Sequence, residues 1–331
     1  MSRGTRRSAA EKPGRRSRPR EVVVLEPAER RTAMLRLIGG ARQRLVLSLF
    51  RCDDFEVLDG LASALERGVA VHALLTKRAK GGRKRLKKLW AALEEMGAVV
   101  NWYADPVVKY HAKYLVADEG PAMVATLNPT RKCFTRTWDA ALVTHAETVV
   151  ASLLHLFEAD TTGRRPALGR RFSRRLIVGP ERARADVQKL IAGAKHSIRI
   201  LDHKLSDPEV VALLRERRSA GVTVSVIGSP LPGSLDPHGK LIIIDETRAV
   251  IGSMALSTLS LDFRREVALT IEDAPAVRRL NLAYQELSAR VGAPATRLPG
   301  DRPRGGRRRG CARSRRCRGS GRRRGDRRAT G

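Results

Sequence analysis

Apolar and polar positions along this chain fall into short blocks that occur twice. VVVLEP (22–27) reads as a strand, and Leu35, Leu37, Ile38 and Ala41 follow at helical spacing. RLVLSLF (44–50) is an apolar run of strand length, and RGVAVHALL (67–75) ends in another. The order returns 153 residues later as RLIVGP (175–180), the helical set Val187, Leu190, Ile191 and Ala194, then SIRIL (197–201) and AGVTVSVIG (220–228). Each half therefore reads strand, helix, strand, helix, strand, which implies α/β layers. Two halves of similar design predict a pseudo-two-fold molecule. Residues 77–102 have no counterpart of equal length. There Leu86, Trp90, Leu93 and Met96 mark a core-facing helix side. The expected organisation is a disordered basic segment (1–20), a first half (21–164), a second half (165–293) and a disordered Arg/Gly-rich tail (294–331).

One block carries chemistry. In HAKYLVAD (111–118) an extended chain puts His111 and Lys113 on one face. Tyr114–Ala117 reads as a buried strand, and Asp118-Glu119-Gly120 as the turn that ends it. The block returns as HGKLIIID (238–245), with His238, Lys240 and Asp245 in the same places. ATLN (125–128) and GSMA (252–255) follow, and 28 residues after each His stands a carboxylate, Asp139 or Glu266. Thr126 and Ser253, small and hydroxylated, suit close approach of an anionic group to the backbone. On a straight strand Asp118 and Asp245 face away from their histidines, which fits a role in the turn or in pairing with a cation.

Composition changes the picture mainly through charge. The net charge is +31, of which residues 1–20 contribute +7, residues 297–331 contribute +13 and the middle +11. A solvated tail and a polyanion-binding arm both fit the Arg-rich end. The segment KRAKGGRKRLKK (77–88) carries eight Lys/Arg in twelve residues and is expected to rim the mouth of the site. Cys52, Cys133, Cys311 and Cys317 form no disulfide framework, and the two in the tail lack nearby His partners for zinc. No secretory signal and no membrane-spanning run is present, so a cytoplasmic protein, peripheral at a membrane, is expected. The other histidines, among them His72, His145, His155, His196 and His203, are read as structural or exposed.

The doubled block resembles the signature of the phospholipase D superfamily, H-x-K-x4-D-x6-G-S-x-N, over about residues 21–290. The segment TWDAALVTHAETVVASLLHLFEAD (137–160) is similar to that of bacterial cardiolipin synthase-like members. The resemblance implies an α/β fold of two halves packed face to face, with the active site between them. It implies a phosphohistidine formed by one of His111 and His238, with the other as acid and base. Lys113 and Lys240 would neutralise phosphate charge, and Asp139 and Glu266 would orient the rings. Thr126, Asn128 and Ser253 would bind phosphate oxygens, with Asp118 and Asp245 completing the motif. The chain departs from the pattern at Ala125, for Gly, and Ala255, for Asn.

No metal and no other cofactor is expected, because the lysines would do a metal's electrostatic work. The expected substrate is a phospholipid whose phosphatidyl group is cleaved or transferred, at an anionic membrane surface. The alternative is a metal-independent nuclease whose Arg-rich tails hold DNA or RNA; few aromatics for base stacking count against it. No obligate protein partner is evident.

Overall fold

The computed structural model describes residues 21–77, 82–103, 105, 108–228, 231, 235–291 and 298–300. The disorder expected of residues 1–20 and of most of 294–331, including Cys311 and Cys317, lies outside the described residues. Residues through Pro299 form one compact unit; of the second, Gly300–Gly331, only Gly300 is described.

The first half runs β1 (Val22–Val24), α1 (Pro27–Gly40), β2 (Arg44–Leu49), α2 (Phe55–Glu66) and β3 (Ala70–Leu75). It continues with α3 (Arg83–Glu95), β4 (Val99–Trp102), β5 (Lys109–Tyr110), β6 (Tyr114–Ala117) and β7 (Ala122–Ala125). It closes with β8 (Thr137–Trp138), β9 (Ala141–Thr144) and α4 (Glu147–Thr162). The second half repeats the beginning as β10 (Leu176–Gly179), α5 (Ala183–Ala192), β11 (Ser197–Leu201), α6 (Pro208–Ser219) and β12 (Thr223–Ile227). Then come β13 (Asp236–Pro237), β14 (Leu241–Ile244), β15 (Arg248–Gly252), α7 (Thr258–Asp262), β16 (Arg264–Ile271) and α8 (Ala274–Val291). The sheets are ordered β1-β9-β7-β6-β2-β3-β4 and β10-β16-β15-β14-β11-β12. Residues 77–102, the length without a counterpart, supply α3 and the extra edge strand β4.

Strands apolar on both faces are covered on both. In β14, Leu241 and Ile243 join a core shared by the two sheets with α4 and α8, while Ile242 and Ile244 pack on the α5–α6 side. In β2, Val46 faces the shared core, and Leu45, Leu47 and Leu49 face α1 and α2. The two sheets thus stand face to face across one apolar layer.

The duplication extends to polar detail. Asp54 caps α2 by accepting from the Val57 amide, and Asp207 caps α6 by accepting from the Val210 amide. Arg31 holds Asp54 and Glu56; 153 residues on, Arg184 holds Asp207 and Glu209.

The last residues of the two motifs explain themselves here. Asp118 and Asp245 both sit at φ 51°, a left-handed turn conformation that Asp tolerates better than most residues. The Asp118 carboxylate accepts from the amides of Arg42, Gln43 and Arg44 at the entry to β2. Asp245 does the same for Lys195, His196 and Ser197 at the entry to β11. Partial burial opposes ionisation, but these amides outweigh it and hold both carboxyls below the usual range. Although both belong to the repeated motif, they lie at the far end of their strands from the histidines and staple turns.

Asp118→Ala and Asp245→Ala should each cost about 1–2 kcal/mol in denaturant unfolding, the scale of charged hydrogen bonds at a turn. Turnover per folded molecule should stay within a few-fold; a hundredfold loss in fully folded protein would restore them to the reacting centre.

Candidate active site

Two short strands cross the seam between the halves. In the first half β5 leads into His111, yet it pairs parallel with β16 of the second half, Tyr110 opposite Arg265. In the second half β13 leads into His238 and pairs parallel with β8 of the first, so that Pro237 stands opposite Trp138. Each histidine is therefore delivered to the carboxylate of the other half. His111 Nδ1–H donates to Glu266 Oε2 at 2.9 Å, and His238 Nδ1–H donates to Asp139 Oδ1 at 2.8 Å.

Each carboxylate is fully enclosed and has a hydroxyl shell. Asp139 accepts from Thr126 and Thr137, with the buried Arg30 guanidinium 3.5 Å away. Glu266 accepts from Ser260 at 2.7 Å. Burial opposes both charges, but the facing imidazole and the hydroxyls prevail, holding Asp139 below its usual range and Glu266 at about 2.

The lysines of the motifs lie buried beside their histidines, 3% and 6% exposed. Lys113 Nζ donates to the His111 carbonyl at 2.7 Å and reaches His111 Nε2 at 3.2 Å. Lys240 Nζ donates to the His238 carbonyl at 2.5 Å. Burial, with Lys240 adding to it, brings Lys113 down to about 7. Burial also pushes His111 down to about 3 despite Glu266, and both lysines contribute; His238 is lowered in the same way. Each imidazole feels the other half's lysine, so the two motifs share one electrostatic site, with both rings neutral.

A cavity of about 510 Å³ opens onto His238. Phe50, Leu86 and Leu89 form an apolar wall, with the exposed cations Arg51, Arg85 and Lys132 around it. The described part of the basic segment 77–88 reaches this cavity through Gly82, Arg85 and Leu86; residues 78–81 lie outside the described residues. Phe50 meets the His111 ring edge-on at 5.0 Å and lies 5.5 Å from the Lys113 ammonium.

Of the expected phosphate contacts, Asn128 alone lines the cavity, and its Oδ1 is buried with no hydrogen-bond partner among the described residues. Thr126 and Ser253 require correction. Both are wholly enclosed; Thr126 donates to Asp139, and Ser253 bonds the backbone of Val267 beside Glu266. They brace the carboxylates rather than face a substrate. His203 also departs from expectation: it lines the cavity, and burial with Lys240 and Lys204 lowers it to about 4. The 153-residue repeat sets His203 where the first half has Phe50, a signal already present in the sequence.

Folded His111 stays unprotonated down to about 3, whereas an unfolded imidazole binds a proton near its ordinary 6.5. Glu266 falls from an ordinary 4.5 to about 2. Both folded values are depressed, so their stabilisation is complete above about 6.5 and is lost as pH falls towards 2. Denaturant midpoints at pH 7, 5.5 and 4 should therefore fall, and His111→Gln should flatten the decline. An unchanged slope in that variant would contradict the assignment.

Residues 34–161 match the family model described as "Cardiolipin synthase, PLD-like domain". No curated protein sequence matches the chain. Polyphosphate kinase from Porphyromonas gingivalis has a similar fold, with TM-score 0.68 and 18% identity over 80% of this chain and 46% of that one. The chain thus spans about half the length of that enzyme. Phosphatidylserine synthase from Haemophilus influenzae Rd KW20 aligns with TM-score 0.62 and 12% identity over 82% of this chain and 86% of that one. Residues 34–161 are thus similar to a PLD-like domain, and the two solved structures show that the chain shares their fold of two face-to-face α/β halves.

Proposed function

We propose that this chain is a phospholipase D-type phosphodiesterase that cleaves or transfers the phosphatidyl group of a phospholipid through a phosphohistidine. One observation carries the reading: two neutral imidazoles, each fixed by the other half's buried carboxylate, share a site with two buried lysines.

The geometry separates the two rings. His111 Nε2 already accepts from Lys113, whereas His238 lines the cavity with its Nδ1 proton committed to Asp139. His238 Nε2 attacks phosphorus, forming the N–P bond as the bond to the leaving oxygen breaks. Lys113, whose burial makes its proton easy to surrender, passes a proton to His111 Nε2, which hands it on to the leaving oxygen. Phosphorylated His238 is cationic, and Asp139 stabilises it. Water or an alcohol then gives its proton to His111 Nε2, which returns it to Lys113, and attacks phosphorus, which frees His238. Lys113, Lys240 and the Asn128 amide hold the non-bridging oxygens.

A lipid suits the cavity, where an apolar wall stands beside cations. On α3, Leu86 and Leu89 are buried while Arg83, Lys84, Arg85, Lys87 and Lys88 are exposed, a basic row fitted to an anionic membrane surface. No described helix is long and apolar enough to cross a membrane. The family model over residues 34–161, described for cardiolipin synthase, supports the same class. A nuclease is the second reading, favoured by the net charge of +31.

Purified full-length protein with chelator should release headgroup from phosphatidylcholine vesicles or form cardiolipin from phosphatidylglycerol vesicles. Cleaved single-stranded DNA with intact lipid would instead establish the nuclease. Intact-mass spectrometry within one turnover should find a covalent phosphatidyl adduct in His111→Ala and none in His238→Ala. The reverse pattern would exchange the two roles.

A further inference from the structure

The cavity wall beside His238 carries a thiol that the reaction does not use. The Cys133 sulfur, a carboxylate oxygen of Asp139 and a ring nitrogen of His238 all lie within 4.8 Å of one another. Cys133 and His238 line the 510 Å³ cavity, so an ion has a route in from solvent and an open coordination position facing it. The same cavity is lined by Asn128, whose buried Oδ1 has no hydrogen-bond partner among the described residues and is an acceptor that a cation in the cavity would satisfy.

We propose that Cys133, Asp139 and His238 form a binding site for a thiophilic divalent cation of the zinc(II) type, and that its occupation turns the nucleophile off. Thiolate, imidazole and carboxylate with one open position is a donor set that zinc accepts, at bonds of roughly 2.0–2.3 Å. The site also discriminates. Arg30 stands 3.5 Å from the far oxygen of Asp139, which opposes a hard cation held by charge alone. A softer ion with a partly covalent bond to sulfur overcomes that repulsion better than magnesium or calcium.

Binding sends the Cys133 thiol proton to solvent and breaks the hydrogen bond between His238 Nδ1 and Asp139 Oδ1. A cation taking Nδ1 moves the ring proton to Nε2; one taking Nε2 fills its lone pair directly. Both routes leave His238 without the pair of electrons that attacks phosphorus. Asp139 stays in place through its other oxygen, held by Thr137 and Arg30. The loss of turnover rests on the function proposed above; capture of the ion does not.

Cobalt(II), a coloured substitute for zinc, is titrated into the metal-free full-length protein. A thiolate-to-cobalt charge-transfer band should rise to one equivalent and disappear when zinc is added. It should be absent from folded Cys133→Ser and Cys133→Ala and present in the Cys311→Ser/Cys317→Ser double variant. Zinc should lower turnover reversibly, with chelator restoring it, and the Cys133 variants should need at least about tenfold more zinc for the same fractional loss. No band in the wild type, or a band that survives both Cys133 substitutions, overturns the site. Equal zinc sensitivity in the variants overturns the switch. Should no phosphodiester be cleaved, the band still decides the site, so the two ideas fail separately.

Discussion

A carboxylate enclosed in protein is tolerated only where donors meet it, and the seam of this molecule is organised around that demand. Asp139 and Glu266 are both sealed from water, and each finds its imidazole donor on the opposite half. Neither half supplies its own ring with its own carboxylate. The reacting pair exists only when the two sheets are packed, so the shared apolar core between them sets the position of the chemistry. Two-residue parallel pairings, β5 with β16 and β13 with β8, fix the register at the crossing points.

Much of this was legible in the sequence, and the limits have physical reasons. The repeats at 153 and 127 residues revealed two α/β halves, and H-x-K twice marked both imidazoles and both lysines. The exchange of carboxylates was not legible, because Asp139 and Glu266 stand 28 residues after His111 and His238 alike, and that spacing is the same for either pairing. Thr126 and Ser253 misled because a small hydroxyl beside a phosphate and one beside a buried carboxylate look identical in sequence. Asp118 and Asp245 could be placed at turns, but their three amide partners come from residues about 50 to 76 positions away.

The halves agree in plan and differ around the two histidines. Between His238 and Lys240 stands Gly239, whose missing Cβ would lie 2.4 Å from the Trp138 ring. The first half has Ala112 there, and its Tyr110 stands opposite Arg265 of the second half, which is clamped by Asp160 and Glu181. Phe50 leans on His111, where the second half offers His203 to the cavity. Arg30 backs Asp139, whereas Glu266 has Arg264 only at 4.0 Å. Duplication thus supplied two similar rings, and their surroundings made one enclosed and one open.

The exchanged pairing is tested most directly by proton NMR of the imidazole Nδ1–H groups, which resonate far downfield when a carboxylate accepts them. Two such signals are predicted, with Glu266→Gln abolishing that of His111 and sparing that of His238, and Asp139→Asn doing the opposite. Loss of the His111 signal in Asp139→Asn, with that of His238 retained, would show pairing within each half and contradict the seam described here.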